Sequence, residues 1–182
     1  MKRTFSLIAF SLLLHAVVMA QPAGDPEATV SGQITLPDNS TVSGSIKDNI
    51  RKKGELVVVN GGKKTKYKAG EINGAQVGAV NYLTWNYTFY EILWQGTTLT
   101  LLRKANEPAG VQYNGSDAVV VSSEGNVDDL FVRKKGEASL VLLTKKTAKE
   151  VLGKLCSSCA GSMDAFDTEA AKKALAACDA CK

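Results

Sequence analysis

The chain has 182 residues, 45% hydrophobic and 22% charged, and 22 lysines and arginines against 18 aspartates and glutamates give a net charge of +4. That length suits one ordinary domain with an appendage and buries a real core, so the four cysteines are not all that holds the fold together. So small an excess of positive charge excludes bulk nucleic-acid binding as the basis of function.

Residues 1–20, MKRTFSLIAFSLLLHAVVMA, read as a secretory signal peptide. Lys2 and Arg3 form the positive start, an apolar stretch follows, and Val18 and Ala20 place small residues before Gln21 for cleavage. Ser6, Ser11 and His15 interrupt the apolar run and no stop-transfer pattern follows, so no transmembrane anchor is expected after cleavage. The expected location is the periplasm or the extracellular space. Cleavage lowers the net charge from +4 to +2 by removing Lys2 and Arg3, and it takes away His15, the chain's one histidine. The exported chain then has no Ser–His or Cys–His pair and no histidine metal ligand.

Residues 21–28, QPAGDPEA, lack periodicity and read as a flexible leader. From Thr29 the pattern turns to short β runs. TVSGQITL and TVSGSIK alternate apolar and polar residues around the turn cluster PDNS, which is a hairpin signal. ELVVVN and KKTKYKA flank Gly61-Gly62, a pair suited to the positive φ of a tight hairpin turn. AQVGAVNYL, YTFYEILWQ, TTLTLLRK, VQYN, DAVVVSS, VDDLFVRK and ASLVLLT continue the series. Turn signals recur every ~8–12 residues, which predicts an antiparallel barrel or sandwich of about ten strands over residues 29–144.

From Lys145 the period becomes helical. Ala148, Val151, Leu152, Leu155 and Cys159 fall on one side of one run, and Ala171, Ala174, Leu175, Cys178 and Cys181 on one side of the next. Asp167 or Thr168 is the expected N-cap of the second helix. The fold class expected is therefore mainly β with C-terminal α, the tail being a two-helix hairpin over residues 145–182.

ITLPDNSTVSGSI, followed by a short strand, a glycine turn, YKAGEINGAQVG and FYEILWQGTTLTLLRK, resembles the N-terminal region of secreted proteins common in Bacteroidota. In those an L-x-D-G-x-x-x-x-G-x-I hairpin opens a small bent-sheet barrel; here Asn39 stands where the pattern has glycine. The resemblance spans residues 29–145 and implies an exported small β-domain of largely uncharacterised function. It carries over no catalytic residue, and the cysteine-rich tail lies outside the pattern.

All four cysteines lie in that tail, as Cys156/Cys159 and Cys178/Cys181. Two CxxC pairs about 15–20 residues apart fit a zinc site. An exported chain favours disulfides instead. On helices, i and i+3 share a face, so two antiparallel helices would give Cys156–Cys181 and Cys159–Cys178, each bridge contributing about 3 kcal/mol. The alternatives are a metal site of Cys156, Cys159, Cys178 and Cys181, or thiol–disulfide exchange within each CxxC. The latter is disfavoured because redox pairs sit at helix N-termini.

Tyr82, Trp85, Tyr87, Phe89, Tyr90 and Trp94 crowd one stretch. Strand alternation puts Tyr90, Ile92 and Trp94 on one face and Tyr87, Phe89 and Leu93 on the other, as in a central strand with two apolar faces. The functional alternative is a ligand-stacking platform of Trp85, Tyr87 and Tyr90, with Trp85 at a bend the most exposed. The basic runs at residues 51–53, 63–68, 133–135 and 145–146 read as solvated or edge faces, with anionic glycans or lipid headgroups as the functional alternative. Together these features predict a non-enzymatic exported protein with a binding or structural role, a protein or glycan partner in the cell envelope and no cofactor.

Overall fold

The structure, a computed structural model, describes residues 28–108, 111–114, 117–120, 124–156, 163 and 166–181. The expected signal peptide, most of the leader and Cys159 lie outside the described residues.

The strands are β1 (Val30–Thr35), β2 (Thr41–Asn49), β3 (Glu55–Asn60), β4 (Lys63–Lys68), β5 (Gly74–Val77), β6 (Val80–Trp85), β7 (Thr88–Gln95), β8 (Leu99–Lys104), β9 (Val111–Asn114), β10 (Asp117–Val120), β11 (Leu130–Lys134) and β12 (Leu140–Leu143). The helices are α1 (Ile50–Lys53), α2 (Ala148–Leu155) and α3 (Thr168–Ala180). Ten strands form one sheet in the order β12-β11-β8-β7-β6-β5-β1-β2-β3-β4, and β9 and β10 pair as a separate ribbon. All pairings are antiparallel. The sheet is open: among the described residues nothing pairs β12 with β4, so the expected barrel is not formed.

Turn chemistry explains the hairpins. In the β1–β2 turn, the Asp38 carboxylate accepts from Ser40 N at 2.9 Å and Ser40 Oγ at 2.6 Å, and these bonds lower its pKa. Asn39 has φ +65°, the left-handed region that asparagine tolerates best after glycine, which accounts for asparagine at a position where glycine is the natural choice. Gly61 and Gly62 take φ +56° and +81° between β3 and β4, as their pairing in the sequence predicts. AQVGAVNYL is not one strand. Gly78, at φ +60°, folds it back so that Val77 pairs with Val80.

The sheet has two differently covered halves. Ile34, Ile46, Leu56, Val58, Ala75, Val77 and Phe89 share one core with partly buried Tyr67 and Tyr82, so strands β1 to β7 curl around it. Tyr82 and Phe89 meet edge to face at 6.4 Å. In the other half, Leu99 and Leu101 of β8, Leu130 and Val132 of β11, and Leu143 of β12 pack under Ala148 and Leu152 of α2 and Ala171, Ala174 and Leu175 of α3. The helical tail therefore docks on the sheet. A register shift between Ile92 and Trp94 moves Trp94 from the expected face of Tyr90 and Ile92 to the helix side, beside Leu93.

The cysteine pairing differs from the expected one. Cys156 is bonded to Cys178, with Cα atoms 5.2 Å apart. The helical spacing argument requires α2 to continue through Cys159, but the helix ends at Leu155 and Cys156 is its C-cap, with its N–H bonded to Leu152 O at 2.8 Å. Cys156 thus turns into the core, where it meets Cys178, the residue that continues the buried Ala171–Ala174–Leu175 stripe of α3. Cys181, the exposed C-cap of α3, is also disulfide-bonded.

Asp167 caps α3, accepting from Ala170 N at 2.8 Å. The other end is pinned by Asp179. Its carboxylate accepts from Thr97 N, from Thr98 N at 2.8 Å and from Thr98 Oγ1, all in the β7–β8 turn. A carboxylate at a helix C-terminus opposes the helix dipole, and these donors offset that cost. They hold the Asp179 pKa below its ordinary value, the Thr98 hydroxyl first.

Replacing Cys156 and Cys178 together by alanine is expected to cost about 3 kcal/mol in urea unfolding, from the loss of a bridge spanning 22 residues; peptide mapping that returned a Cys156–Cys181 link would contradict the arrangement. Because the folded pKa of Asp179 is depressed, its contribution is complete above the unfolded carboxylate pKa and is lost as pH falls through the folded one. The gap in melting temperature between wild type and Asp179→Asn is therefore expected to be largest near neutrality and to close in acid.

Candidate functional site

A concavity of about 350 Å³ opens beside α1, lined by Arg51, Lys52, Lys53, Lys68, Gly70, Tyr87, Asn106, Glu107 and Val127 among others. Each wall has a local cause. The single turn of α1 is held because Ile50 is buried, Asp48 Oδ1 accepts from Ile50 N at 2.9 Å, and Gly54 closes it at φ +63° with its N–H on Ile50 O at 2.8 Å. This anchoring turns Arg51, Lys52 and Lys53 outward. Lys68 ends β4, and a single 3-10 turn, Ala69–Glu71, follows. Its start is secured by Glu71 Oε2, which accepts from Lys68 N at 2.8 Å.

Tyr87 stands on the opposite wall, in the two-residue turn between β6 and β7. Asn86 and Tyr87 have φ +44° and +60°, the conformation of a type I′ turn, whose second position normally holds glycine. A bulky residue there is strained. The Tyr87 ring lies so close to Gly70 that a Cβ on Gly70 would be 2.6 Å from Cδ1. Glycine at 70 and tyrosine at 87 are thus fitted to each other.

Asn106 forms the floor and is buried. Its Oδ1 accepts from Phe89 N at 2.8 Å and its Nδ2 donates to Glu107 O at 2.9 Å. Beneath it Lys104 is wholly buried, with Nζ 2.7 Å from Glu107 Oε2, 2.5 Å from Gly125 O and 3.4 Å from Glu124 O. Three donors meet three acceptors, as a buried ammonium requires. Arg51 pairs with Asp128. Lys52, Lys53 and Lys68 have no ion-pair partner among the described residues.

A second cavity of about 210 Å³ lies on the other flank of α1, with Asp48, Arg51, Tyr82 and Glu91 in its wall. Tyr82 donates to Asp48 Oδ2 at 2.8 Å, and Glu91 pairs with Arg103 at 2.5 Å. Burial first, then the Asp48 carboxylate, raises the Tyr82 pKa far above its ordinary value.

The proposed platform of Trp85, Tyr87 and Tyr90 is not assembled. Tyr90 is 2% exposed, stacks edge to face on Phe131 at 5.3 Å, and has a pKa pushed up to about 12, by burial first and then by Glu107 and Glu124. Trp85 is half-buried in the same apolar cluster, under the Arg133 guanidinium at 5.8 Å. Tyr87 is apart from both, on the cavity wall. Cys156 and Cys178 are buried and bonded to each other, and among the described residues no three His, Cys, Asp or Glu side chains converge as a metal site.

The basic runs at 51–53 and 63–68 were visible in the sequence, but their convergence was not. Lys104, Asn106 and Glu107 were missed, because one ended a strand and the other two lay in a loop without a motif. The available signal was Asn86-Tyr87 at the centre of a two-residue hairpin, where glycine is expected. Comparison with known proteins finds no matching family model, no matching curated protein and no matching solved structure.

Lys104→Met is expected to cost about 2–3 kcal/mol, because it strands the Gly125 and Glu124 carbonyls. Hydrogen exchange should quicken first in residues 124–129, next to the cavity; unchanged exchange there would rule out the role assigned to Lys104.

Proposed function

We propose that this chain is an exported, non-enzymatic binding protein of the periplasm or cell envelope, and that the cavity beside α1 is its ligand site. The observation that carries the reading is the fitted pair Gly70 and Tyr87. A strained tyrosine is held on the wall of a concavity where an unstrained glycine would serve the turn alone. Export is supported by the leader and by cysteines committed to disulfides, which belong to oxidising compartments. Thiol exchange and metal binding have less support, since Cys156 and Cys178 are consumed in a buried bridge. No helix among the described residues is long and apolar enough to cross a membrane.

One further observation favours a glycan as the partner. On the sheet face away from the β1–β7 core, Gln33, Gln76 and Asn81 are aligned across β1, β5 and β6 and exposed, beside a cavity of about 340 Å³. Such amides match sugar hydroxyls as donors and as acceptors.

Fractionation of expressing cells tests both parts. The envelope or medium is expected to hold a chain that begins at Gln21, and retention on washed envelope material is expected to fall in Gly70→Val, whose side chain displaces Tyr87. A cytoplasmic chain with its leader intact would overturn export, and undiminished retention of Gly70→Val would overturn the site.

A further inference from the structure

Resting on that reading of the site, we infer that the cavity beside α1 takes an acidic sugar unit, with Tyr87 against the sugar ring and Lys52, Lys53 and Lys68 around its anionic group. A volume of about 350 Å³ falls at the lower end of the range of small-ligand sites.

The charges of the lining divide into two sets. Arg51 is matched by Asp128 and Glu107 by Lys104, so these four hold the walls together and cancel. Lys52, Lys53 and Lys68 are left, three lysines from two separate elements lining one concavity, Lys52 also bordering the second cavity, in a chain whose whole net charge is only +4. A cleft lined by one sign of charge concentrates its counter-ion, so the ligand is an anion.

The kind of anion follows from what the site lacks and what it adds. The one guanidinium in the lining already has its fork on Asp128, so the two-pronged arginine grip that often selects phosphate is spent. Lysines are point charges that suit a carboxylate or sulfate on a larger body. The aromatic ring supplies the rest. Tyrosine presents an apolar face with a polar tip, which matches the C–H face and hydroxyls of a pyranose. A bare inorganic anion would have no use for a ring held at the cost of backbone strain. An exposed amide row on the same sheet is in keeping with a polysaccharide that extends beyond one unit.

The test uses the mature full chain, isothermal calorimetry and four probes: a short oligogalacturonide, its fully methyl-esterified neutral counterpart, a heparin-derived sulfated oligosaccharide, and phosphatidylglycerol vesicles. The acid oligomer or the sulfated one is expected to bind at least about tenfold more tightly than the neutral ester, and the binding to weaken with salt. Which of the two binds better separates a carboxylate source from a sulfate source. Lys52→Gln with Lys68→Gln, and separately Tyr87→Gly, are each expected to reduce that affinity about tenfold or more. Tyr87→Gly relieves the left-handed strain, so its melting temperature is expected not to fall, and a loss of binding there cannot be ascribed to misfolding. Equal binding of the neutral ester, preference for the vesicles, binding of none of the four probes, or full affinity in either variant would overturn the inference. If these fail while Gly70→Val still releases the protein from envelope material, the acidic-sugar assignment is wrong and the binding site stands. If Gly70→Val changes nothing in the envelope, the site itself is wrong.

Discussion

One buried ammonium organises the end of the sheet beside which the α1 cavity opens. Lys104 has no exposed surface, and an unpaired charge in that position would be prohibitively costly. It is satisfied only if Glu107 stays near it and the chain around Glu124 and Gly125 turns its carbonyls inward. The backbone follows the side chain: Lys104 N donates to Asp129 O at 3.0 Å and Asp128 N donates to Lys104 O at 2.9 Å. Asp128, so placed, receives Arg51 and ties α1 to the loop. A replacement of Lys104 by an apolar side chain would pack as well but would leave that loop many positions. The ion pair is therefore best understood as a specifier of geometry, with the cavity wall as its product.

What was legible in the sequence was local. Gly61-Gly62, the Asp38–Asn39–Ser40 turn and the Asp167 cap were readable because each depends on residues within a few positions of one another. The mainly antiparallel β character and the helical tail were readable for the same reason, although AQVGAVNYL proved to be two strands. Closure was not. Whether β4 finds β12 depends on curvature summed over ten strands, which no turn signal encodes. The Ile92–Trp94 irregularity was invisible for a similar cause, since a bulge is defined by its partner strand. The site lay between these limits. Its cations were visible as runs, but their convergence needs the chain after β4 to cross to the β6–β7 turn, where Gly70 meets Tyr87.

The cysteines show how a sound local rule fails at an element boundary. Residues i and i+3 share a face only while the helix lasts, and α2 stops at Leu155. Once Cys156 is a C-cap, its direction is set by the core it enters, and Cys178 is the cysteine on the buried stripe of α3. The bridge then acts with Asp179 at the same end of α3. One joins the helix to α2 and the other joins it to the β7–β8 turn. α2 is only eight residues long and α3 is alanine-rich, so the pair buries little apolar area of its own, and these attachments, with the further bridge at Cys181, help it cover the faces of β8, β11 and β12.

The division of labour within the sheet explains where a binding site can exist. β7 serves three clusters: Phe89 enters the curled core, Tyr90 and Ile92 the opposite face, and Leu93 and Trp94 the helix-covered core. Alternation places Phe89 and Leu93 on one face and Tyr90 and Ile92 on the other, and the bulge adds Trp94 to the side of Leu93. At one end of β7 the helices α2 and α3 cover the sheet. At the other it curls, so that the 3-10 turn following β4 reaches the turn preceding β7. A seam between two parts of one chain is a natural place for a cleft, because neither part has to fill it to be stable. Here the seam is bounded by α1, the 3-10 turn and the Asn86–Tyr87 turn. These are short elements whose conformation is imposed by what they are anchored to. Strain at Tyr87 can persist there because Phe89, two residues on, is locked in the core and held by Asn106, which leaves the turn nowhere else to go.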